Sequence, residues 1–414
     1  MLIAVVVRLA AIALYGPSTL RFGDAVSYLD TASDLCRTGH YSWQSNLPFF
    51  RAPGLPFFIA LATGCGPDRV PAVKVALVAL DAATVAVAYA LARGLSFGTP
   101  AALAGAALVA IHPFFVQSSA DVTTEPLATL LVAIWLAAVV WAARDGSRRL
   151  VLWSAAGAAA GFAALTRPAA ILCVPLGIAG RLLLDRRGPR GLAADAACFA
   201  AAAAIVVAPW SIVASRAAGG FVLVNDAGGY ALWRGMHPML ARATEERDPA
   251  RFLAESDRFE REVSPHAAAD VDRRASTPRA RSDEWTRLAI EDAKAEPWLA
   301  ARYLVRKARV YWRPWVDRSI SPGWLVAASA AVLVPVLLGG LLGLARLARA
   351  DRGAAVFLAL VLMVPWIAQL PYQVMSRFRV PFSEVPLCVL AAAYGWSLWE
   401  RARSPARRTG PGRM

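Results

Sequence analysis

A chain of 414 residues that is 57% hydrophobic and only 18% charged excludes an ordinary soluble domain. Its apolar residues fall in blocks of roughly 17 to 25, the length that crosses a hydrocarbon core of about 30 Å at about 1.5 Å per residue. The formal net charge of +15 is carried largely by arginines in short joints between these blocks, where they set orientation and meet anionic head groups, so no nucleic acid is expected as a partner.

The pattern predicts an all-α polytopic membrane protein with spans at 2–20, 70–92, 99–117, 126–143, 150–166, 168–185, 192–214, 323–345, 354–371 and 380–399. The first block resembles a signal sequence. It lacks a basic start and a small-x-small cleavage site, and reads as a retained anchor. The joint that follows, 21–69, begins with Phe22-Gly23-Asp24-Ala25. From Asp24, apolar residues recur at Ala25, Tyr28, Leu29, Ala32, Leu35 and Cys36, the spacing of an amphipathic surface helix ending at Gly39. Asp24 stands at its start, either as an N-cap accepting backbone N–H bonds or as a carboxylate held at the water-lipid boundary as a general base. One residue can do both.

The next apolar stretch, Pro53 to Gly64, follows Arg51-Ala52-Pro53-Gly54 and is too short to cross, so it reads as interfacial or re-entrant. That choice fixes parity. With ten spans, Arg93, the 144–149 and 185–190 joints, the 346–352 joint and the tail 401–414 share one side, which the positive-inside rule makes cytoplasmic. The 21–69 loop, Asp121, Glu125, Arg167, the segment 215–322, Arg377 and Arg379 then share the outer side. The modules expected are 1–214, the outer segment 215–322, the helices of 323–400 and the basic tail.

Asp121 and Glu125 precede the fourth span, and Pro126 suits a first helical position, so Glu125 reads as a plausible cap. Two acids from separate loops, Asp24 and Glu125, can also share a divalent metal or divide the acid and base roles. His112, closing the third span, can join them or be a hydrogen-bonded structural residue. Arg51, Arg167, Arg377 and Arg379 each lie at an outer boundary beside a proline; singly they snorkel to head groups, and together they can grip a phosphate carried by a lipid. Glu384 can orient one of them. Asp81 stands inside a span, where a charge costs about 2.5–3.5 kcal/mol, with Lys74 as candidate partner. The outer segment carries helical patches at Asp283 to Ala295 and Pro297 to Trp312, with a mobile loop expected around Ser264 to Ser282. Asp270-Val271-Asp272 inside that loop reads as an accidental DxD. Cys173, Cys198 and Cys388 fall in apolar spans as small hydrophobes, leaving Cys36 and Cys65 as the pair that can meet outside.

In order along the chain, Asp24 with Tyr28-Leu29, Gly39-x-Tyr41-Ser42, Arg51-x-Pro53-Gly54-x-Pro56, His112-Pro113, Thr124-Glu125, Gly229-Tyr230-Ala231-Leu232-Trp233-Arg234-Gly235 and Ser376-Arg377-Phe378-Arg379-x-Pro381 resemble the bacterial GT-C glycosyltransferases of the protein-mannosyltransferase and aminoarabinose-transferase type. The resemblance covers most of the chain. It implies a GT-C bundle of about ten transmembrane helices with outer juxtamembrane helices, and a transferase moving a sugar from a polyprenyl-phosphate donor to a lipid, glycan or protein acceptor at the outer face of the inner membrane, with inversion. Asp24 would be the base and Glu125 a second acid supporting a metal or the acceptor. Arg51, Arg377 and Arg379 would neutralise the phosphate. Many relatives carry Asp-Glu at the first site where this chain has Asp24-Ala25, which weakens the case for a metal there. A lipid phosphotransferase needs similar arginines, and a transporter or flippase of lipid-linked sugars is the non-enzyme alternative; the absence of mirrored broken helices in the sequence disfavours the latter.

Overall fold

Helices make up all the regular secondary structure in the computed structural model, which describes residues 1–41, 51–66, 69–144, 147–185, 191–243, 249–318 and 321–403. The N-terminal half consists of α1 (Leu2–Tyr15), α2 (Asp24–Thr38), α3 (Gly54–Thr63), α4 (Arg69–Gly94), α5 (Thr99–Ile111), α6 (Pro113–Ser119), α7 (Glu125–Arg144), α8 (Arg149–Thr166), α9 (Cys173–Leu184) and α10 (Leu192–Ala218). Then come α11 (Gly228–Met236), α12 (Pro238–Ala243), α13 (Pro249–Arg258), α14 (Ser264–Arg274), α15 (Pro278–Ala295) and α16 (Pro297–Tyr311), followed by α17 (Gly323–Ala350), α18 (Arg352–Gln369) and α19 (Val380–Arg403). Ser42, Asp145 and Gly146, residues 186–190 of one basic joint and 404–414 of the tail lie outside the described residues.

Among the described residues six of these helices, α4, α7, α8, α10, α17 and α18, are long and apolar enough to cross a membrane, and α5 with α6, bent by 46° at their break, have the length and apolarity of a seventh only when taken together. The other three expected spans are built differently. Gly16 and Pro17 stop α1 at Tyr15, leaving a shorter apolar helix. Pro168 imposes a 3-10 turn, Pro168–Leu172, before α9. α19 is 24 residues long but carries Ser383 and Glu384, both buried. The short arm α3 has 10 residues and ends on Gly64 at φ 52, a left-handed cap that glycine adopts without strain.

The main core lies between α4, α5, α7, α8, α18 and α19, around Trp135, Trp153, Phe357 and Leu390. At one end of the bundle the basic joints meet: Arg144 pairs with Asp351 at 3.3 Å and bonds the Gly94 carbonyl, while Arg149 reaches Asp195 at 2.8 Å. Among the described residues, the end of α4, the start of the 144–149 joint and the 346–352 joint therefore sit together. Within the spans, Arg8 and Asp81 form a fully buried ion pair at 2.6 Å, and Arg8 also donates to the carbonyls of Ala110 and Val109. This corrects the expected partner of Asp81. Lys74, seven residues earlier on α4, instead donates to the Gly16 and Thr19 carbonyls at 3.2 and 2.6 Å, capping the end of α1.

The stretch 264–282, expected as a mobile loop, holds α14 and the start of α15. Its Ala, Arg and Asp residues favour helix once Val271 can be buried, and Val271 packs with Tyr230, Trp233, Phe259 and Trp285 in a small aromatic core of the segment's own. Asp270 and Asp272 pair with Arg273 and Arg281, so the DxD is spent on surface ion pairs.

Candidate active site

At the bundle end opposite the basic joints, α2 packs on α3, and α3 lies against α4 and the end of α8. A disulfide between Cys36 and Cys65, with Cα atoms 5.6 Å apart, ties the far end of α2 to the turn after α3. Gly54 lets α3 start hard against Thr166, the last residue of α8; a Cβ there would come within 2.7 Å of the Thr166 Cα. This close approach brings Arg51 and Arg167 to the same place. Tyr41 donates its hydroxyl to the Arg51 carbonyl at 2.8 Å. Asp121 Oδ2 accepts from the backbone N–H groups of Arg21 and Phe22 at 2.7 and 3.0 Å, which fixes the start of α2.

Asp24 is the first residue of α2, but Gly23 is the N-cap and no side chain caps the helix. The Asp24 carboxylate is held by guanidinia. Arg51 Nη2 donates to its Oδ1 at 3.1 Å and Arg377 Nη2 to its Oδ2 at 3.0 Å. Arg377 Nη1 donates to Glu125 Oε1 at 3.2 Å, and Arg167 Nη1 to the same oxygen at 3.1 Å. The result is an alternating chain, Arg51–Asp24–Arg377–Glu125–Arg167, in which three guanidinia face two carboxylates and leave a net charge of +1. Glu125 is 1% exposed and Arg377 8%, whereas the Asp24 side chain remains 42% exposed. Aromatic rings wall the cluster: Phe22 lies 4.2 Å from the Arg377 guanidinium, Phe378 4.6 Å from Arg167, and Tyr28 5.0 Å from Arg51. Phe22, Phe114, Gln117 and Ser376 surround a small gap beside Arg377.

The electrostatics follow from this packing. Burial pushes the Asp24 carboxyl upward, but the guanidinia of Arg51 and Arg377 outweigh it and hold it below the ordinary 3.8. Burial likewise raises the neighbouring Tyr28 phenol, keeping it protonated. Asp24 is thus ionised at any physiological pH. Its oxygens are available to a hydroxyl only as far as the arginines release them.

Two of the expected site residues lie elsewhere. Arg379, on the same 3-10 turn as Arg377 (Ser376–Arg379), is 1% exposed and turns inward. Its Nε pairs with Glu384, and its Nη1 donates to the carbonyls of Tyr311 and Arg313, both at 2.9 Å. His112 meets Glu384 Oε2 at 3.0 Å across the break between α5 and α6. Successive arginines in Arg377-Phe378-Arg379 therefore serve different networks, and His112 does not stand with Asp24 and Glu125. Among the described residues no group of three His, Cys, Asp or Glu side chains is arranged to hold a metal. Asp24 and Glu125 are bridged by a guanidinium, so the residues present do not fit a divalent ion between them. Ser27, which accepts from Arg51 Nε at 2.8 Å, is the contributor that the sequence did not single out. The only signal for Ser27 was its position one helical turn after Asp24.

Residues 50–213 match the family model of dolichyl-phosphate-mannose-protein mannosyltransferases. No curated protein matches the sequence. Among solved structures, the oligosaccharyltransferase AglB from Archaeoglobus fulgidus, in complex with an inhibitory peptide and a dolichol-phosphate, aligns at a TM-score of 0.56 and 15% identity, covering 100% of this chain and 52% of that one. An Archaeoglobus fulgidus oligosaccharyltransferase in complex with Zn and sulfate aligns at 0.57 and 15% identity, covering 97% and 49%. This chain thus spans about half the length of that oligosaccharyltransferase. ArnT from Cupriavidus metallidurans, bound to undecaprenyl phosphate, aligns at 0.44 and 14% identity over 99% of this chain and 81% of that one. The chain is a polytopic helical membrane protein with the GT-C glycosyltransferase fold, similar over residues 50–213 to the dolichyl-phosphate-mannose-protein mannosyltransferase family.

Proposed function

We propose that the protein is a membrane glycosyltransferase that moves a sugar from a polyprenyl-phosphate donor to an acceptor hydroxyl, with Asp24 as the general base and inversion at the anomeric carbon. The observation that carries this reading is the alternating charge chain with its unbalanced guanidinium. A walled, largely buried cluster of net charge +1 at the membrane boundary favours an anion, and a lipid-borne phosphate is the anion that reaches that depth. The matched family is named for a dolichyl-phosphate sugar, and the AglB structure is described with a dolichol-phosphate.

The chemistry follows from an exchange of partners. In the free protein Arg51, Arg167 and Arg377 share the two carboxylates of Asp24 and Glu125. When the donor phosphate enters, guanidinia turn part of their hydrogen bonding to it, and Asp24 loses a share of the stabilisation that keeps it a weak base. The acceptor O–H then gives its proton to Asp24 as its oxygen bonds to the anomeric carbon. The bond from that carbon to the phosphate oxygen breaks, and the departing phosphate gains a negative charge where the arginines already stand. Glu125 keeps Arg377 and Arg167 apart and aimed. Arg379 has a supporting place in this scheme, since its donors are committed to Glu384 and two carbonyls.

The reading also places the site on the outer, periplasmic or extracellular face. Two features support it: the basic joints gather at the opposite end of the bundle, and the Cys36–Cys65 disulfide belongs in an oxidising compartment. The experiment that tests the function is transfer by the purified protein from a synthetic polyprenyl-phosphate sugar, with the acceptor sought by mass spectrometry of envelope glycolipids and glycans with and without the protein. Turnover that depends on Asp24 supports the assignment. A protein that consumes no lipid-phosphate sugar under any acceptor refutes it.

A further inference from the structure

Lys307 is 3% exposed and has no carboxylate within ion-pair distance among the described residues. Its Nζ donates instead to three carbonyls: Gly235, Leu370 at 3.1 Å and Pro371 at 3.3 Å. Gly235 lies in the last turn of α11, and Leu370 and Pro371 follow α18, so one amine closes the negative ends of two helices that converge on it. An amine donates in either charge state, and the Tyr303 ring 4.3 Å away covers it. Beyond Pro371 the chain runs directly to the 3-10 turn that carries Arg377.

One turn further along α16, the Tyr311 carbonyl accepts from Arg379 at 2.9 Å, as does that of Arg313 just beyond the helix. The segment 370–379 is therefore attached to α16 at both ends, by Lys307 before Arg377 and by Arg379 after it. Gly235 makes the contact close as well as bonded, because a Cβ there would lie 2.4 Å from the Pro371 oxygen and 2.7 Å from the Tyr372 Cα.

We propose that α16 is a strut that sets the position of Arg377, and that Lys307 is the positioning residue joining the 219–318 helices to the active site. This rests on the assignment of Arg377 as a phosphate-binding residue. Lys307 touches no substrate in this account. It determines where the Arg377 guanidinium stands between Asp24 and Glu125, so the helices between the two groups of spans govern donor binding.

The test uses the full chain in detergent, with Lys307→Met, which keeps the stem and removes the donor, Lys307→Arg, which keeps the donors, and Gly235→Ala, which wedges the same contact open from α11. Hydrogen exchange of residues 370–379 is read beside that of 125–144, together with binding of undecaprenyl phosphate. Lys307→Met and Gly235→Ala are each expected to speed exchange in 370–379 by roughly 10- to 100-fold with 125–144 unchanged. They should weaken undecaprenyl phosphate binding about tenfold, and Lys307→Arg should restore both readouts. Unchanged exchange in 370–379 in both the Met and Ala variants overturns the strut. So does acceleration spread equally over 125–144, which marks a general loss of stability. If the unaltered protein does not bind undecaprenyl phosphate, the polyprenyl-phosphate reading fails, while the exchange data still decide the strut.

Discussion

Arg377 and Asp24 stand 353 positions apart in the chain and meet at 3.0 Å. The contact joins the turn before the last helix to the first helix after the first apolar block, and Arg377 reaches Glu125 with its other terminal nitrogen. Only a planar fork spans two carboxylates in this way. Arg377→Lys is accordingly expected to lower transfer by about 100-fold or more, because a single ammonium cannot serve both acids and a phosphate. Turnover measured beside thermal unfolding checks this. A variant with near-normal turnover contradicts the role of the fork.

The pH behaviour of Asp24 has a definite sign. Its folded pKa lies below the ordinary 3.8, so the folded state binds fewer protons than the unfolded chain around that pH. The interactions of Asp24 with Arg51 and Arg377 therefore contribute stability that is full above the unfolded value and is lost as pH falls through the folded one. Transfer should show no Asp24 limb between pH 5 and 8, a range that rests on carboxylates ordinarily titrating near about 4. A pH–rate profile with an acidic midpoint near 6 that vanishes in Asp24→Asn would show that the arginines do not hold the carboxyl down.

The buried pair Arg8–Asp81 yields a stability prediction independent of catalysis. Asp81→Asn leaves a buried guanidinium without its counter-charge and should cost about 3–5 kcal/mol, whereas the double variant Arg8→Met with Asp81→Leu should recover most of that loss. Thermal unfolding in detergent distinguishes the two. Equal losses in the single and double variants would show that the pair is not coupled.

The disulfide tests orientation as well as stability. Closing a loop with a sequence separation of 29 corresponds to about 3–4 kcal/mol on the chain-entropy account, and Cys36→Ser should lower the unfolding temperature accordingly. In intact cells, mild reduction followed by a membrane-impermeant maleimide should label Cys36 and Cys65. Labelling only after permeabilisation would place the site on the other side.

How much of this was legible in the sequence depended on how local each signal was. The helical spacing from Asp24 to Gly39 and the short reach of Pro53 to Gly64 are local, and both appear as read. Asp24, Glu125, Arg51, Arg167 and Arg377 were singled out by polarity at apolar boundaries, and the fold brings those five together. Arg379 could not be told from Arg377 because both flank Phe378 on one short turn; which points inward depends on Glu384 and the α16 carbonyls. His112 was drawn to the acids by proximity in sequence to Glu125, yet its partner is Glu384, 272 positions away. Asp81 was given Lys74 because both share a helical face. The lone charge of the first apolar block, Arg8, was the better partner, because pairing two opposite charges from different apolar helices offsets the cost of burying each. The stretch 264–282 was read from composition alone, which could not anticipate the burial of Val271 against Trp233 and Trp285.

If Asp24 accepts the acceptor's proton, Asp24→Asn must lose transfer from a polyprenyl-phosphate sugar while staying folded by thermal unfolding and size-exclusion chromatography in detergent. Turnover of the folded variant is expected to fall by about 10²- to 10⁴-fold. Turnover within about threefold of the unaltered protein, well inside the loss expected for a missing general base, would contradict it.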